Sequence, residues 1–224
     1  MTGKEAAGKI DISAVRTHHS KKDIDFVIKE AKKYKFISVH VLPSRVKYVA
    51  EQLSDYPDIL VGAPVGFPEG AHKTEVKILE AEELLKDGVG EMDMVMNVGK
   101  LKSHEYEYVL NEIVQIRAVA KDIPLKVIIE INCLSDEEMY KACDLVLQGG
   151  GDFIKTGTGW ISGDANLNRL KAIREYVGDK IKLKAAGGIR TQEEFLYLES
   201  IGIDRYGINL NTAIELVSAL DSYA

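Results

Sequence analysis

The chain has 224 residues, of which 46% are hydrophobic and 29% are charged, a composition typical of a globular protein with a sizeable core. Its net charge is −6, whereas nucleic-acid-binding proteins more often have a basic face, so we expect no nucleic-acid partner. The two cysteines give no disulfide framework, and the N-terminus lacks the apolar core of a signal peptide, so we expect a cytoplasmic location. No apolar run approaches the roughly 18 residues that cross a membrane, so we expect no membrane partner.

Short apolar runs alternate along the chain with longer amphipathic ones. Eight runs have the length and composition of strands: 9–15, 36–41, 59–65, 91–97, 125–131, 152–156, 181–186 and 204–209. Eight others have the charge and periodicity of helices: 21–34, 43–53, 73–88, 105–121, 136–150, 166–178, 191–202 and 212–220. No Pro- or Ser-rich linker interrupts them, so we expect one domain over residues 1–224.

Local signals support some of the helix boundaries. Ser135, followed three residues later by Glu138, has the pattern of a capping box at the start of a helix. Gly88 follows a helical segment and is a candidate C-cap. In that segment, Val76, Leu79, Leu84 and Leu85 predict an apolar stripe, with Glu80 alongside.

Strict alternation of strands and helices predicts parallel strands joined by helical crossovers. Eight such units favour a closed (β/α)8 TIM barrel over the alternative, an open doubly wound sheet, although such barrels are usually nearer about 250 residues. In these barrels the active site lies at the C-terminal ends of the strands. The residues to consider are therefore the polar ones where apolar runs end.

Three such residues form a chemically meaningful set. Lys155 ends the sixth run in DFIK, Lys184 ends the seventh, and Asp93 interrupts the fourth. If they share one barrel mouth, two nearby ammonium groups suppress each other's protonation, and one becomes a free amine that can attack a carbonyl to form a Schiff base. A nearby carboxylate can relay protons, so this set suits aldol cleavage.

Each member also has a purely structural explanation. A lysine at a strand end is usually a surface residue that extends its charge to water, and Asp93 could simply cap a buried backbone group. We expect Lys126 and Lys182 to be surface residues of this kind, because both lie at the starts of their strands.

Glycines mark a candidate phosphate site. Gly187, Gly188 and Gly207 follow strands seven and eight, where TIM barrels often bind phosphate through backbone N–H groups, although glycine also simply permits tight turns. The five histidines show no HxH or HExxH spacing, which disfavours a metal-dependent aldolase, and no P-loop or early GxGxxG indicates a nucleotide. We therefore expect no metal site and no cofactor.

Over nearly its full length the chain resembles class I deoxyribose-phosphate aldolases. The segments that carry this resemblance are GFPEGAHKTEVKILEA, GVGEMDMVMNVGKLKS, LKVIIE, GGGDFIKTGTGW and LKAAGGIRT. The family cleaves 2-deoxyribose 5-phosphate to acetaldehyde and glyceraldehyde 3-phosphate without a metal or organic cofactor. The resemblance therefore implies a phosphorylated sugar and an aldehyde as reactants, and it makes a homodimer plausible, although no motif indicates one.

The resemblance also implies roles for individual residues. Lys155 is then the Schiff-base lysine, Lys184 the partner that lowers its pKa, and Asp93 the carboxylate of the proton relay. The residues expected near the substrate are Asp11, Ser13, Thr158, Gly159, Gly187, Gly188, Gly207 and Asn209.

The chain departs from the family pattern around this shell. Gly157 stands where a serine is usual, and VHVLP replaces a VCVNP-like segment, which brings His40 and Leu42 where cysteine and asparagine are common. The first strand has Ser13 in place of the usual threonine, with Ile12 before it. Two serines usual after Gly207 are replaced by Asn209 and Leu210, so we expect weak binding of deoxyribose 5-phosphate with slow but measurable cleavage.

Three functions remain open on the sequence. The first is a Schiff-base aldolase acting on deoxyribose 5-phosphate or a related phosphorylated sugar. The second is the same lysine chemistry in another reaction, such as acyl transfer on a phosphorylated diketone. The third is a non-catalytic sugar-phosphate binder, which the retained lysines and Asp93 disfavour, since a buried lysine pair costs stability.

Overall fold

Eight parallel strands close into a barrel in the computed structural model, which describes residues 1–163 and 166–222. The strands are β1 Ile10–Ala14, β2 Ser38–Val41, β3 Leu60–Val65, β4 Glu91–Val95, β5 Leu125–Ile128, β6 Phe153–Lys155, β7 Lys182–Ala186 and β8 Arg205–Asn209. Strands that follow each other in sequence lie side by side, and β8 pairs with β1. The predicted (β/α)8 barrel is confirmed, and the open-sheet alternative is wrong.

All eight predicted helices are present around the barrel. The helices are α1 Gly3–Ala7, α2 Lys21–Tyr34, α3 Val46–Leu53, α4 Thr74–Lys86, α5 Val98–Lys102, α6 Tyr106–Ala120, α7 Asp136–Gln148, α8 Leu167–Val177, α9 Gln192–Ser200 and α10 Leu210–Ser222. The short helices α1 and α5 were not predicted, because five residues are too few to establish an apolar period. Among the described residues, no helix is long and apolar enough to span a membrane.

The predicted boundary signals act as expected. Ser135 Oγ accepts a hydrogen bond from the Glu138 amide at 3.2 Å, and the Glu138 carboxylate accepts one from the Ser135 amide at 2.7 Å, which completes the capping box of α7. Gly88 follows the end of α4 with φ of 87°, a left-handed conformation that glycine adopts without steric cost.

The predicted apolar stripe of α4 is wrong except at Leu84, which is buried. Val76 and Leu79 are 49% and 57% exposed, and the face turned to the barrel includes the fully buried Lys77. The Lys77 ammonium is buried because it donates to Glu112 of α6 and to the Val95 carbonyl, both at 2.8 Å. A hydrophobic period alone does not detect a buried ion pair between two helices.

Two kinds of side chain alternate along the strands. Ile10, Ile12, Met92, Met94 and Val127 are fully buried and belong to the apolar core between the barrel and its helices. Charged residues occupy the positions between them and face the barrel interior, which TIM barrels more often fill with branched apolar side chains. The inward-facing charged set is Asp11, Glu91, Asp93, Lys126, Lys155, Lys184 and Arg205.

Candidate active site

The predicted site residues line one cavity at the C-terminal mouth of the barrel. Its volume is 670 Å³, and its walls are the strand ends and the loops that follow β1, β6, β7 and β8. All eleven residues singled out from the sequence line it: Asp11, Ser13, Asp93, Lys155, Thr158, Gly159, Lys184, Gly187, Gly188, Gly207 and Asn209. The strand ends thus bring together residues up to about two hundred positions apart in the chain.

Two lysines share one carboxylate oxygen at the floor of this cavity. Lys155 and Lys184 are register partners on the neighbouring strands β6 and β7, and each Nζ lies 2.7 Å from Asp93 Oδ2. Asp93 reaches them from β4, two strands away, as predicted. Lys155 is the last residue of β6, whereas Lys184 lies in the middle of β7 rather than at its end.

The two lysines have opposite protonation behaviour. Burial in the barrel is the main cause that lowers the pKa of Lys155 to about 8; the Lys184 ammonium lowers it further, while Asp93 acts in the opposite direction. Burial also favours the neutral form of Lys184, but Asp11 and Asp93 together raise its pKa above the ordinary value. Lys155 therefore supplies a free amine near neutral pH while Lys184 stays charged. Repulsion between the two ammonium groups contributes, but it ranks behind burial.

Lys126 was predicted to be a surface lysine, and this prediction is wrong. It is the second residue of β5 and is fully buried, with Nζ 2.7 Å from Glu91 Oε2 and 3.2 Å from Asp93 Oδ1. Lys182, at the start of β7, is exposed as predicted. Lys126 lies only one residue further into its strand, but its side chain enters the barrel where two carboxylates compensate its charge.

A second layer of charge supports the floor of the cavity. Asp11 accepts hydrogen bonds from Arg205, with 2.9 Å to Nε, and lies 2.6 Å from Lys184 Nζ. Burial alone would raise the pKa of Asp93, yet Lys126, Lys155 and Lys184 hold it well below its usual range. Asp93 is therefore a carboxylate throughout the neutral range and can accept hydrogen bonds from both lysines.

His40 joins this charged layer from β2. Its Nε2 lies 2.8 Å from Glu91 Oε1 and 3.5 Å from Asp11 Oδ2. Ligand atoms of these three residues lie within 4.8 Å of one another, a grouping close enough for a metal ion that no sequence spacing would reveal. Asp11 and Glu91 both pair with the Arg205 guanidinium, and Glu91 also pairs with the Lys126 ammonium. These side chains supply the positive charge that a metal ion would otherwise bring to the two carboxylates.

Glu130 organises the loop after β6. Its Oε2 accepts hydrogen bonds from the Thr158 amide at 3.0 Å and from the Thr158 hydroxyl at 2.5 Å, and Thr158 Oγ in turn accepts from the Trp160 amide at 3.0 Å. A Cβ at Gly157 would lie 2.9 Å from Glu130 Oε1 and 3.3 Å from the Ala186 carbonyl oxygen. The glycine in KTGTG is thus fitted to the position of Glu130, and a serine there would displace that carboxylate.

The glycine turns and the start of α10 surround the outer part of the cavity. Gly187 and Gly188 have φ of 88° and 81°, which glycine tolerates best, and their loop lies against Gly159. Asn209 caps α10, because its Oδ1 accepts from the Thr212 amide at 3.1 Å and its Nδ2 donates to the Thr212 hydroxyl at 2.9 Å. Leu210 is largely buried and begins that helix.

Gly207 has a steric role that the sequence did not indicate. A Cβ at this position would lie 3.0 Å from the Ala186 Cβ and 3.5 Å from the Lys184 Cε. The contact with Ala186, its register partner on β7, is the tight one, so the missing side chain lets β8 lie close to β7 there, whereas 3.5 Å to Lys184 is an ordinary contact. Ser13 is half-buried on β1, and its register partner on β8 is Asn209.

Comparison with known proteins identifies the family. A model of the family described as DeoC/LacD family aldolase matches residues 5–198. The chain belongs to this family. It is therefore an aldolase-family lyase, and the resemblance found in the sequence is confirmed.

Relatives and solved structures agree over nearly the whole chain. A protein from Sinorhizobium medicae named deoxyribose-phosphate aldolase is 41% identical over 97% of this chain and 88% of its own length, and one from Thermococcus gammatolerans is 42% identical over 96% of each. A candidate deoxyribose-phosphate aldolase from Coccidioides immitis has a TM-score of 0.91 at 30% identity, covering 98% of this chain and 86% of that one. The enzyme from Aeropyrum pernix has a TM-score of 0.87 at 24% identity over 100% and 94%, which shows the shared fold.

Sequence reasoning missed several members of the charged layer. Glu91, Lys126, Glu130 and Arg205 were not selected, although each lies within or just after a predicted strand. A signal was present in the two-residue period of a strand. Glu91 precedes Asp93 by two positions, and Arg205 precedes Gly207 by two, so each shares an inward face with a predicted site residue.

Proposed function

We propose that this chain is a Schiff-base aldolase that cleaves 2-deoxyribose 5-phosphate to acetaldehyde and glyceraldehyde 3-phosphate, reversibly and without a metal. The single observation that carries the proposal is the pair of lysines on one carboxylate, in which burial gives Lys155 a pKa of about 8. An amine with this pKa is partly neutral at physiological pH and is protected from bulk water inside the barrel. The relatives' names supply the substrate.

The chemistry can be written with these residues alone. The free amine of Lys155 adds to the C1 aldehyde of the open-chain sugar to give a carbinolamine. Protonation of the carbinolamine hydroxyl lets it leave as water, which forms an iminium ion. A base removes the proton of the C3 hydroxyl, the C2–C3 bond breaks, and its electron pair flows to the iminium nitrogen. This step releases glyceraldehyde 3-phosphate and leaves an enamine. Protonation at C2 and hydrolysis then release acetaldehyde and restore the amine.

Asp93 and Lys184 fit the proton steps of this sequence. Asp93 Oδ2 contacts both amines at 2.7 Å, so one carboxylate oxygen accepts hydrogen bonds from both lysines and can take part in proton transfer at Lys155. Lys184 remains an ammonium and can donate to an oxygen that develops negative charge. Asp11 fixes the orientation of Lys184 at 2.6 Å.

Backbone groups are the proposed phosphate ligands. The consecutive left-handed glycines Gly187 and Gly188 present amides at the mouth of the barrel, and α10 begins at Leu210 beside them, so its N-terminal dipole favours an anion. The side chain of Asn209 is engaged in capping α10, which leaves one of its two amide hydrogens for a ligand. These features support phosphate binding that depends mainly on the backbone, consistent with the expected weak grip on the substrate.

Borohydride trapping tests this function directly. We expect the protein incubated with acetaldehyde and then reduced to gain 28 Da, with peptide mapping assigning the ethyl group to Lys155. Deoxyribose 5-phosphate should also be consumed, with glyceraldehyde 3-phosphate detected by a coupled assay. Modification of a different lysine, or trapping without any cleavage of the sugar phosphate, would contradict the proposal; the second result would direct attention to other phosphorylated carbonyl compounds.

A homodimer and a cytoplasmic location remain predictions. The structure from Aeropyrum pernix is described as tetrameric, which is a statement about that protein. Light scattering of the purified chain over a range of concentrations will give its subunit number.

A further inference from the structure

His40 lies at the floor of the cavity, beside the carboxylates of Glu91 and Asp93. Its side chain is only 5% exposed and lines the cavity. Nε2 lies 2.8 Å from Glu91 Oε1, and Nδ1 lies 3.6 Å from Asp93 Oδ2. The imidazole therefore lies between Glu91 and Asp93, the carboxylate that accepts a hydrogen bond from Lys155.

The position of this ring depends on a glycine in the next strand. Gly62 of β3 is the register partner of His40, and a Cβ built there would lie 2.3–2.6 Å from three atoms of the imidazole. No side chain at position 62 can coexist with the ring in this place. The pair His40–Gly62 is thus one steric unit within the barrel.

The neighbouring charges determine which ring nitrogen carries the hydrogen. Burial raises the pKa of Glu91, but Lys126 and His40 act against it and bring that pKa down to about 2, so Glu91 is a carboxylate and only accepts hydrogen bonds. Nε2 must then be the donor in the 2.8 Å contact with Glu91. In the neutral ring this leaves Nδ1, the nitrogen nearer Asp93, with its lone pair free to accept a proton.

We propose that His40 is a positioning residue that takes up the proton lost by Lys155 when the amine becomes nucleophilic; this inference rests on the proposed function. The Lys155 Nζ–H bond breaks, the proton crosses Asp93 Oδ2, and an N–H bond forms at His40 Nδ1. The positive charge moves from an ammonium to an imidazolium, and no other atom or electron is exchanged. The proton returns by the same oxygen to the carbinolamine hydroxyl, which leaves as water when the iminium ion forms; hydrolysis reverses these steps.

The geometry makes Asp93 Oδ2 the shared point of this path. Lys155 Nζ lies 2.7 Å from that oxygen, and His40 Nδ1 lies 3.6 Å from it. Lys184 also contacts it but retains its own proton, because Asp11 and Asp93 both hold it charged. Imidazole is the side chain that ordinarily gains and loses a proton near neutral pH, which suits it to temporary storage.

Among the described residues, the charged groups that face the ring are carboxylates of the barrel strands. Asp11 on β1 and Glu91 and Asp93 on β4 face it directly. Each of these carboxylates is paired with at least one cation from another strand; the cations are Lys126 on β5, Lys155 on β6, Lys184 on β7 and Arg205 on β8. Gly62 on β3 contributes no charge. The carboxylates that face the ring are thus already compensated by cations of other strands.

The variant His40→Gln distinguishes proton uptake by the ring from a purely structural role as the hydrogen-bond donor to Glu91. A glutamine amide can still donate to Glu91, but it cannot take up a proton. We expect the rate of acetaldehyde trapping on Lys155 at pH 7 to fall roughly tenfold to a hundredfold in His40→Gln, the lower range for loss of an acid–base group, and the shape of its pH profile to differ from that of the wild type.

Two measurements keep the outcomes distinct. Isotope-labelled histidine followed by NMR should show the hydrogen of the His40 ring on Nε2, as its contact with Glu91 requires. If His40→Gln traps acetaldehyde with the rate and profile of the wild type, the ring only supports Glu91 and the inference is overturned. If the wild type itself forms no adduct on Lys155, it is the proposed function that fails.

The glycine provides an independent test. Gly62→Ala should displace the imidazole and reduce trapping as His40→Gln does, whereas the same change in a His40→Ala background should have no further effect because the space is vacant. Gly90→Ala is a matched control, since its Cβ would meet its nearest atom at an ordinary 3.4 Å. Additive losses from the two changes would overturn the coupling between positions 40 and 62.

Discussion

Replacing Lys184 by methionine should raise the pKa of Lys155. Lys184 lowers that pKa directly through its positive charge, and it also occupies Asp93 Oδ2, the oxygen that stabilises the Lys155 ammonium. Methionine keeps a stem of similar length but removes the charge. Both effects then act in the same direction, and the ammonium form of Lys155 becomes more stable.

The size of the effect follows from the pKa of about 8. At pH 7 an amine with this pKa is neutral in about one molecule in ten. A nearby charge shifts a pKa by roughly one to three units, so the free-amine fraction should fall by about tenfold for each unit. The rate of imine formation at pH 7 should fall in proportion, while the deficit should shrink as the pH rises through the new pKa, because the amine is then neutral in both proteins.

The assay is the rate of borohydride-dependent labelling of Lys155 by acetaldehyde between pH 6 and pH 11. Lys182→Met is the matched control, because Lys182 lies two residues earlier on the same strand and is exposed. Circular dichroism will show whether each variant is folded. An unchanged profile for a folded Lys184→Met protein would refute the electrostatic role of Lys184, and a uniform loss at every pH would indicate a catalytic role unconnected with the pKa of Lys155.

Three other changes test separate parts of the structure. Asp93→Asn should leave imine trapping intact but reduce sugar-phosphate cleavage by roughly 10²–10⁴-fold, since an amide cannot relay the proton; loss of trapping as well would mean that Asp93 mainly supports the fold. Lys77→Met should lower the free energy of unfolding by about 3–5 kcal/mol in urea titrations, because it leaves the buried Glu112 carboxylate without its cation. The exposed Lys86→Met is the control and should change that free energy by less than about 0.5 kcal/mol; equal losses in the two variants would contradict the stabilising role of the buried pair. Asn209→Ala should cost about 1 kcal/mol through loss of the α10 cap, and Asn209→Ser should retain most of it; equal thermal unfolding of the two variants would contradict the capping role.

The alternation of elements was readable from the sequence because it depends on local periodicity. All eight strands and eight of the helices were found in this way, and strand order followed from the closed barrel. The apolar face of α4 was misjudged because Lys77 is stabilised by Glu112, a residue 35 positions away. Long-range pairing of charges leaves no local pattern, so a rule based on hydropathy assigns such a lysine to the surface.

The same physical reason explains which parts of the site were found. Lys155, Lys184 and Asp93 were detectable because each interrupts an apolar strand near the mouth of the barrel. Lys126 interrupts its strand in the same way but lies near the beginning, and this position alone made it look like a surface residue. The information that corrects it is the presence of Glu91 on the neighbouring strand β4, with Oε2 2.7 Å from Lys126 Nζ, which only the three-dimensional structure provides.

Two glycines of the barrel leave space for charged and titratable side chains in its interior. A buried ammonium is tolerated only where carboxylates reach it, and long side chains reach the barrel axis only if their neighbours leave space. Gly62 leaves room for the ring of His40, and Gly157 leaves room for the Glu130 carboxylate. Each of these glycines stands opposite a charged or titratable side chain, so steric room and charge compensation are supplied by different strands. The lysine that ends DFIK is therefore tolerated in the interior because Asp93 compensates its charge, and burial then lowers its pKa to about 8 although Asp93 opposes that shift.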